Sequence, residues 1–246
     1  MTKFRWDSFT ETLDTLYTGR LKILQKKAGY RFSIDALLLA SFVEFRDTDR
    51  MIDLGTGCGI LPLILTFRRE MKRITGVEVQ PSLADLARRN AALNRLSSRI
   101  QIWERDFTKL PGRTWAGKFD RVISNPPYRE IGSGRINPQE EKALARHEFR
   151  ATLQDVLKTA YLLLKEKGRL AMIYPASRAI DLLQGMRHSH LEPKRLQWIH
   201  SRRNEEARLL LVEALKGGRA QSRVLPPFFL YDEQGQYTPE ANRLFD

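Results

Sequence analysis

Two short stretches carry residue types that can do chemistry where apolar runs end. In "MIDLGTGCGI" (51–60), Asp53 lies near the end of an apolar run and Gly55, Gly57 and Gly59 follow at alternate positions. Glycine has no Cβ, so such a turn lets a ligand lie directly on the backbone ahead of a helix. A dinucleotide fingerprint would need its third glycine at position 60, which is Ile60, and no Gly-Lys-Ser/Thr ending marks a phosphate loop. The acid ahead of the glycines instead suits a ligand with a cationic or amine-bearing part. The second stretch, "RVISNPPYRE" (121–130), places Asn125 before Pro126 and Pro127, and Tyr128 after them. Proline fixes its own backbone. The stretch is therefore either a strand ending in a stiff turn or a turn whose stiffness aims reacting groups.

Two further acids fall where the same ligand would need them. Glu78, followed by Val79, ends "RITGVEV" 25 residues after Asp53, near the offset of roughly 20 at which a carboxylate accepts hydrogen bonds from ribose hydroxyls. Asp106, followed by Phe107, closes "IQIWERD". Each acid alone is compatible with a solvated loop carboxylate. Three at successive strand ends point to one shared edge, because open α/β sheets bind ligands outside the carboxyl ends of their strands. His147, His188, His190 and His200 are scattered and Cys58 is the sole cysteine. No metal site or nucleophile is expected.

The elements that must position these residues are legible as an alternation of strand-length apolar runs and helix-periodic segments. Strands are expected near 50–54, 73–79, 99–104, 119–124, 168–174, 194–200 and 207–215. Between them "ILPLILTFRRE", "PSLADLARRNAALNRL", "TLQDVLKTAYLLLKEK" and "SRAIDLLQGMRH" place apolar residues at helical spacing. Pro81 opens the second of these helices and Ser177 is positioned to cap the fourth. The expectation is an α/β fold: a seven-stranded, mostly parallel, doubly wound sheet with helices on both faces. Residues 1–49 form a small N-terminal extension, hairpin-like around Gly19 and Gly29 and then helical over "SIDALLLASFVEF", packed on a main domain of residues 50–246. Residues 125–150 hold proline breaks, Gly132, Gly134 and a charged "EEKALARHEFR" that can form a short helix. Loops of that length usually carry function or disorder.

Composition narrows the partners. Lys and Arg number 42 against 29 Asp and Glu, for a net charge of +13, which favours a polyanion or an anionic surface. No apolar run approaches the roughly 20 residues of a membrane span. The first twenty residues do not read as a secretory signal, and one cysteine allows no internal disulfide. A reducing cytoplasm is the expected compartment.

The D-L-G-x-G-x-G spacing resembles class I S-adenosylmethionine-dependent methyltransferases, and Asn-Pro-Pro-Tyr resembles those that methylate a planar nitrogen. Specifically, the chain from near Leu16 onward is similar to the bacterial tRNA(Val) (adenine-37-N6)-methyltransferases. The resemblance rests on "QKKAGYRFSIDALLLASF" (25–42), "DLGTGCGILPL" (53–63), "GVEVQPSLADLARRNAALN" (76–94), "SNPPY" (124–128) and "LKGGRAQSRVLPPFFLYDEQGQYTPE" (215–240). It implies a Rossmann-like class I fold, S-adenosylmethionine as cofactor, and N6-methylation of the adenine immediately 3′ of a valine anticodon.

By the same resemblance Asp53, Gly55, Gly57, Gly59, Glu78, Val79, Asp106, Phe107 and Asn125 hold the cofactor, with Asp106 receiving its adenine amino group. Tyr30, Arg31, Phe32 and Asp35 close over it as a lid; alternatively, Phe32 and Ile34 simply open a buried helix. The Asn125 side-chain oxygen and the Pro126 carbonyl become acceptors for the two N–H groups of a planar amine, held by Pro127, with Tyr128 stacking on the ring. Arg129, Arg135, Lys142, Arg146 and Arg150 are candidates for gripping the anticodon arm, with Arg202 and Arg203 a further pair. Rival readings are methylation of a protein glutamine amide, methylation of an rRNA guanine N2, and a scaffold without activity. The apolar run in "QSRVLPPFFLYD" could pack on the sheet or hold a partner.

Overall fold

The computed structural model describes residues 6–28, 31–68, 71–110, 112, 114–126 and 151–246. Tyr30, Pro127, Tyr128, Arg129, Arg135, Lys142, Arg146, Arg150 and the helix expected within 140–150 lie outside the described residues.

A hairpin of β1 (Glu11–Leu16) and β2 (Leu21–Lys26) comes first. All seven expected strands then form: β3 (Met51–Leu54), β4 (Ile74–Glu78), β5 (Ile100–Glu104), β6 (Phe119–Ser124), β7 (Leu164–Pro175), β8 (Leu191–His200) and β9 (Ala207–Lys216). Two strands of two residues each, β10 (Arg223–Val224) and β11 (Phe228–Phe229), widen the sheet to nine. Its order is β10-β8-β9-β7-β6-β3-β4-β5, with β11 also on β8. Only β9 runs against its neighbours. The tail thus packs on the sheet: β10 and β11 pair with β8, and Phe228 packs against the buried core.

The parallel strands read as continuous apolar runs because both sheet faces are covered. Helices α1 (Ile34–Phe42), α2 (Ile60–Arg68) and α3 (Pro81–Leu93) close one core, in which Met51, Ile74, Ile123 and Ile173 meet Leu38 and Ile64. Helices α4 (Leu153–Leu163) and α5 (Ala179–His188) close the other, over Ile52, Leu54, Val122 and Met172. Alternate residues of one strand feed the two cores, as the pleat requires. A last short helix, α6 (Pro239–Asn242), follows the tail strands.

Local signals account for the boundaries. Pro81 opens α3 at its first turn, and Thr152 with Asp155 forms a reciprocal capping box on α4. Ser177 does not cap α5: it sits in a 3-10 turn (Ala176–Arg178), and the cap position falls to Arg178, whose side chain makes no capping bond. The tight turn directly after β7 takes up the residues that a capped entry would need.

Near the amino ends of the central strands, the buried Glu213 of β9 meets three guanidiniums, those of Arg121 (3.1 Å), Arg169 and Arg195 (3.7 Å). Arg121 also binds Asp49 at 2.9 Å. A carboxylate this dry is tolerable only because cations surround it.

Candidate functional site

At the carboxyl edge of the sheet, β3 runs into the turn Gly55–Gly59 and then α2. Gly55, Gly57 and Gly59 have φ of 75°, 57° and 81°, left-handed values that other residues adopt at a cost. At Gly59 space adds to this, because a Cβ would lie 3.1 Å from the Ala87 Cβ of α3. Over Gly55, by contrast, nothing lies within 4 Å of such a Cβ, so its backbone is open to a ligand. The amides of Gly55 and Thr56 both donate to the Val77 carbonyl at 3.0 and 2.9 Å, anchoring the turn to β4.

Two acids sit beneath this turn. Glu78, 5% exposed, accepts from the Gly57 amide through one oxygen and the Gln80 amide through the other, each at 2.9 Å. Burial raises its pKa, partly countered by the bonds from Gln80, Gly57 and Val79. Asp53 is fully buried and, among the described residues, neither carboxylate oxygen has a hydrogen-bond partner by geometry. Burial pushes its pKa up to about 7; the nearby Thr56 hydroxyl offsets this only in part, and the Glu78 charge adds to it. The result is an acid of unmet bonding capacity under a bare backbone turn, where a cationic group overhead would favour ionisation. Cys58 in the same turn is buried, its thiol pushed up to about 12 by that burial, which makes it inert.

β6 pairs directly with β3, so Asn125 and Pro126 emerge beside the glycine turn. Beyond the last paired rung, Asp53 to Ile123, the Ser124 hydroxyl donates to the Leu54 carbonyl at 2.9 Å. The two strand ends are thereby locked together. Asp106 follows β5 and caps a 3-10 turn (Phe107–Lys109), accepting from the Thr108 amide and hydroxyl at 2.9 and 2.7 Å. Phe107 packs half-buried on the second core, and Val79 is half-buried after β4. Asp53, the three glycines, Glu78, Val79, Asp106, Phe107, Asn125 and Pro126 thus share one edge over β6-β3-β4-β5.

The segment expected to act as a lid is placed differently residue by residue. The Arg31 guanidinium turns to the hairpin, donating to Asp14 and Thr12 at 2.9 Å each and to the Lys26 carbonyl at 3.1 Å. Phe32 packs half-buried on the first core, and Asp35 occupies the first turn of α1, whose cap is Ser33. Arg202 and Arg203 lie in the β8–β9 turn, at the same sheet edge but three strands from β6. There they line a cavity of about 860 Å³ with Phe229 and the acids Asp232 and Glu240. Arg202 binds Glu205 at 3.0 Å and Arg203 lies 5.4 Å over the Phe229 ring. Among the described residues no group of three or more side chains is disposed to hold a metal ion, and no helix is long and apolar enough to cross a membrane.

Residues 31–188 match the model of the methyltransferase small domain. The chain belongs to this methyltransferase family. Two relatives from Porphyromonas gingivalis, each named tRNA1(Val) (adenine(37)-N6)-methyltransferase, are 31% identical over 92% of this chain and 91% of theirs, and 33% identical over 78% and 76%. A relative of the same name from Actinobacillus pleuropneumoniae is 28% identical over 90% and 91%. Among solved structures, one described as a predicted O-methyltransferase from Agrobacterium tumefaciens aligns with a TM-score of 0.68 and 26% identity over 85% of this chain and 94% of that one. TYW2 from P. horikoshii, in complex with MeSAdo, aligns with a TM-score of 0.60 at 14% identity, over 87% and 74%, a likeness of fold alone.

Against this methyltransferase framework, three features stand out that the sequence patterns did not single out, the first a pair of asparagines. Asn90 of α3 is fully buried; its side-chain oxygen accepts from the Leu24 amide at 2.7 Å, and its NH2 donates to the carbonyls of Leu24 (3.0 Å) and Cys58 (2.9 Å). One turn later Asn94 repeats this with both backbone groups of Lys22, at 2.9 and 2.6 Å. The pair acts as a strand edge made of side chains, tying β2 to α3, and Asn90 adds the glycine turn. Ser124 is the second and Gly76 the third: a Cβ on Gly76 would lie 2.8 Å from the Thr56 hydroxyl. Spacing of 90 and 94 on one helix face was the available signal; what lay opposite was not.

Proposed function

We propose that this methyltransferase transfers the methyl group of S-adenosylmethionine to the exocyclic N6 of adenine-37 in tRNA(Val). The observation that carries the reading is the pairing of β3 with β6, which sets the Asn125-Pro126 turn against the glycine turn and its buried acids. The names of the relatives support the substrate, and the charge of +13 suits a folded RNA held through its phosphates.

The residues fit the cofactor. Open backbone over Gly55, a bond-deficient Asp53 below and Glu78 at the next strand end suit a ligand bearing a cation and a ribose. S-adenosylmethionine supplies, when bound, an electrophilic methyl on a sulfonium. Asp53 contributes negative charge beneath it, Glu78 keeps lone pairs for ribose hydroxyls, and Asp106 with Phe107 receives the adenine end. Asn125 and the Pro126 carbonyl accept the two N–H groups of the target amine, helping to localise its lone pair and fix its approach. Pro127 stiffens that turn and Tyr128 stacks on the base. No strong base is required, since the spare proton can leave to solvent after transfer. Residues 1–49 act as the extension over the cofactor edge, with Tyr30, Phe32 and Asp35 as contacts and Arg31 holding the segment to the hairpin. Arg129, Arg135, Lys142, Arg146 and Arg150 grip the anticodon arm. Arg202 and Arg203, already engaged within the protein, contribute less.

The decisive experiment incubates the protein with labelled S-adenosylmethionine and total tRNA and maps the modified nucleoside. Label in N6-methyladenosine at position 37 is expected. Label in protein glutamine or rRNA guanine, with none in tRNA, refutes the assignment.

A further inference from the structure

A second feature suited to a polyanion lies away from the proposed catalytic edge. β5 is the edge strand of the sheet, and between it and α3 runs an open cavity of about 500 Å³ lined by Arg73, Arg88, Arg99, Ser97 and Ser98. Among the described residues no carboxylate lines it. Arg88 has a partly exposed partner in Glu104 at 3.2 Å. The side chains of Arg73 and Arg99 form no ion pair or hydrogen bond among the described residues. Two unpaired guanidiniums beside two hydroxyls form an anion site in charge and donor type, since a guanidinium matches phosphate oxygens bidentately.

The spread of the charges selects the kind of anion. Arg99 immediately precedes β5 and Arg73 immediately precedes β4, whereas Arg88 binds Glu104 at the far end of β5. Five residues of strand at about 3.3 Å each set the Arg99 backbone roughly 16 Å from that of Glu104, the partner of Arg88. One phosphate cannot span that distance, but successive phosphates of a nucleic-acid strand can.

Resting on the tRNA reading above, we infer that the α3–β5 groove holds the ribose-phosphate backbone of the substrate tRNA outside the anticodon loop. Arg73 and Arg99 serve as phosphate contacts at the amino edge, and the target base reaches the opposite edge. The groove fixes how the RNA lies across the molecule without touching the reacting atoms.

The test measures binding of fluorescently labelled full-length tRNA to the whole protein by anisotropy across a salt series, for wild type, R73E/R99E and R73K/R99K. Each lost phosphate contact lowers the slope of log K against log salt by about 0.7–0.9. R73E/R99E should therefore lose about 1.5 in slope and bind at least tenfold more weakly near 0.15 M salt. R73K/R99K, which keeps the charges, should retain most of the affinity. Cofactor affinity and melting temperature should stay unchanged in both. Equal tRNA affinity and slope in wild type and R73E/R99E overturn the proposal, as does equal loss in both variants accompanied by a lowered melting temperature. Inorganic phosphate titrated into the same proteins separates the sources: phosphate binding abolished by R73E/R99E with tRNA binding intact makes the groove a free-anion site and overturns the RNA assignment. Wild-type protein that binds tRNA through these arginines yet transfers no label to it upholds the groove and sinks the proposed reaction instead.

Discussion

Replacing Asp53 by Asn separates what this carboxyl costs the fold from what it does for the ligand. The side chain is fully buried, has no hydrogen-bond partner among the described residues, and burial pushes its pKa up to about 7 from an ordinary 3.8. The folded protein therefore binds this proton more tightly than the unfolded chain, so the contribution is present at low pH and is lost as pH rises through about 7. Three units at about 1.4 kcal/mol each give a total near 4 kcal/mol, of which roughly 3 kcal/mol falls between about pH 5 and pH 8. Asn stays neutral throughout, and its own unmet hydrogen bonds cost about 1–3 kcal/mol at every pH. Subtracting wild-type from variant stability at each pH cancels the titrations common to both. In a chain of this size the difference in melting temperature should rise by roughly 5–10 °C in favour of D53N from about pH 5 to pH 8. Calorimetric or circular-dichroism melts at four pH values measure it directly. Isothermal titration at about pH 8 should show S-adenosylmethionine binding D53N on the order of tenfold more weakly, as one lost charge contact in a partly screened site implies. A flat difference curve would show that the carboxyl titrates normally, and unchanged affinity above pH 7 would show that its charge does not serve the ligand.

Other consequences follow from single contacts. Asn125→Ala should abolish nearly all turnover while leaving cofactor affinity within a few-fold; wild-type turnover in single-turnover assays would remove it from the mechanism. Asn90→Ala strands buried groups of Leu24 and Cys58 and should cost about 2–4 kcal/mol, seen as lowered hydrogen-exchange protection in β2; protection equal to wild type would deny that the side-chain edge holds the hairpin. Gly59→Ala combines left-handed strain with a 3.1 Å approach to Ala87 and should destabilise by about 1–3 kcal/mol, whereas denaturant midpoints matching wild type would mean the turn and α3 yield freely. Glu213→Ala leaves guanidiniums without their shared carboxylate and should lose about 3–5 kcal/mol, checked by urea unfolding at neutral pH.

Most of the candidate site was legible because it is local. Gly55, Gly57 and Gly59 are adjacent in sequence, and Glu78 and Asp106 sit at strand ends marked by their own apolar runs, so the topology that brings them to one edge needed only the alternation of elements. What Arg31 binds within the protein was not legible: its guanidinium meets Asp14 and Thr12, whose positions depend on hairpin pairing. Ser177 failed as a cap for a similar reason, the chain turning too tightly after β7 for its side chain to reach a free amide.

By itself, then, the sequence determined the seven main strands, the crossover helices, the glycine turn and the end of β6 just before Asn125-Pro126, since periodicity, glycine conformation and proline stiffness act over a few residues. Tertiary structure alone decided what lies across from each of them: Asn90 reaching Cys58 from 32 positions away, Ser124 bonding Leu54 across 70, and Glu213 gathering arginines from three other strands. Those contacts turn on strand order, register and the direction of individual side chains, which a linear pattern does not encode. The same is true of the α3–β5 groove, whose arginines at 73, 88 and 99 look like scattered surface charge until the edge strand lines them up.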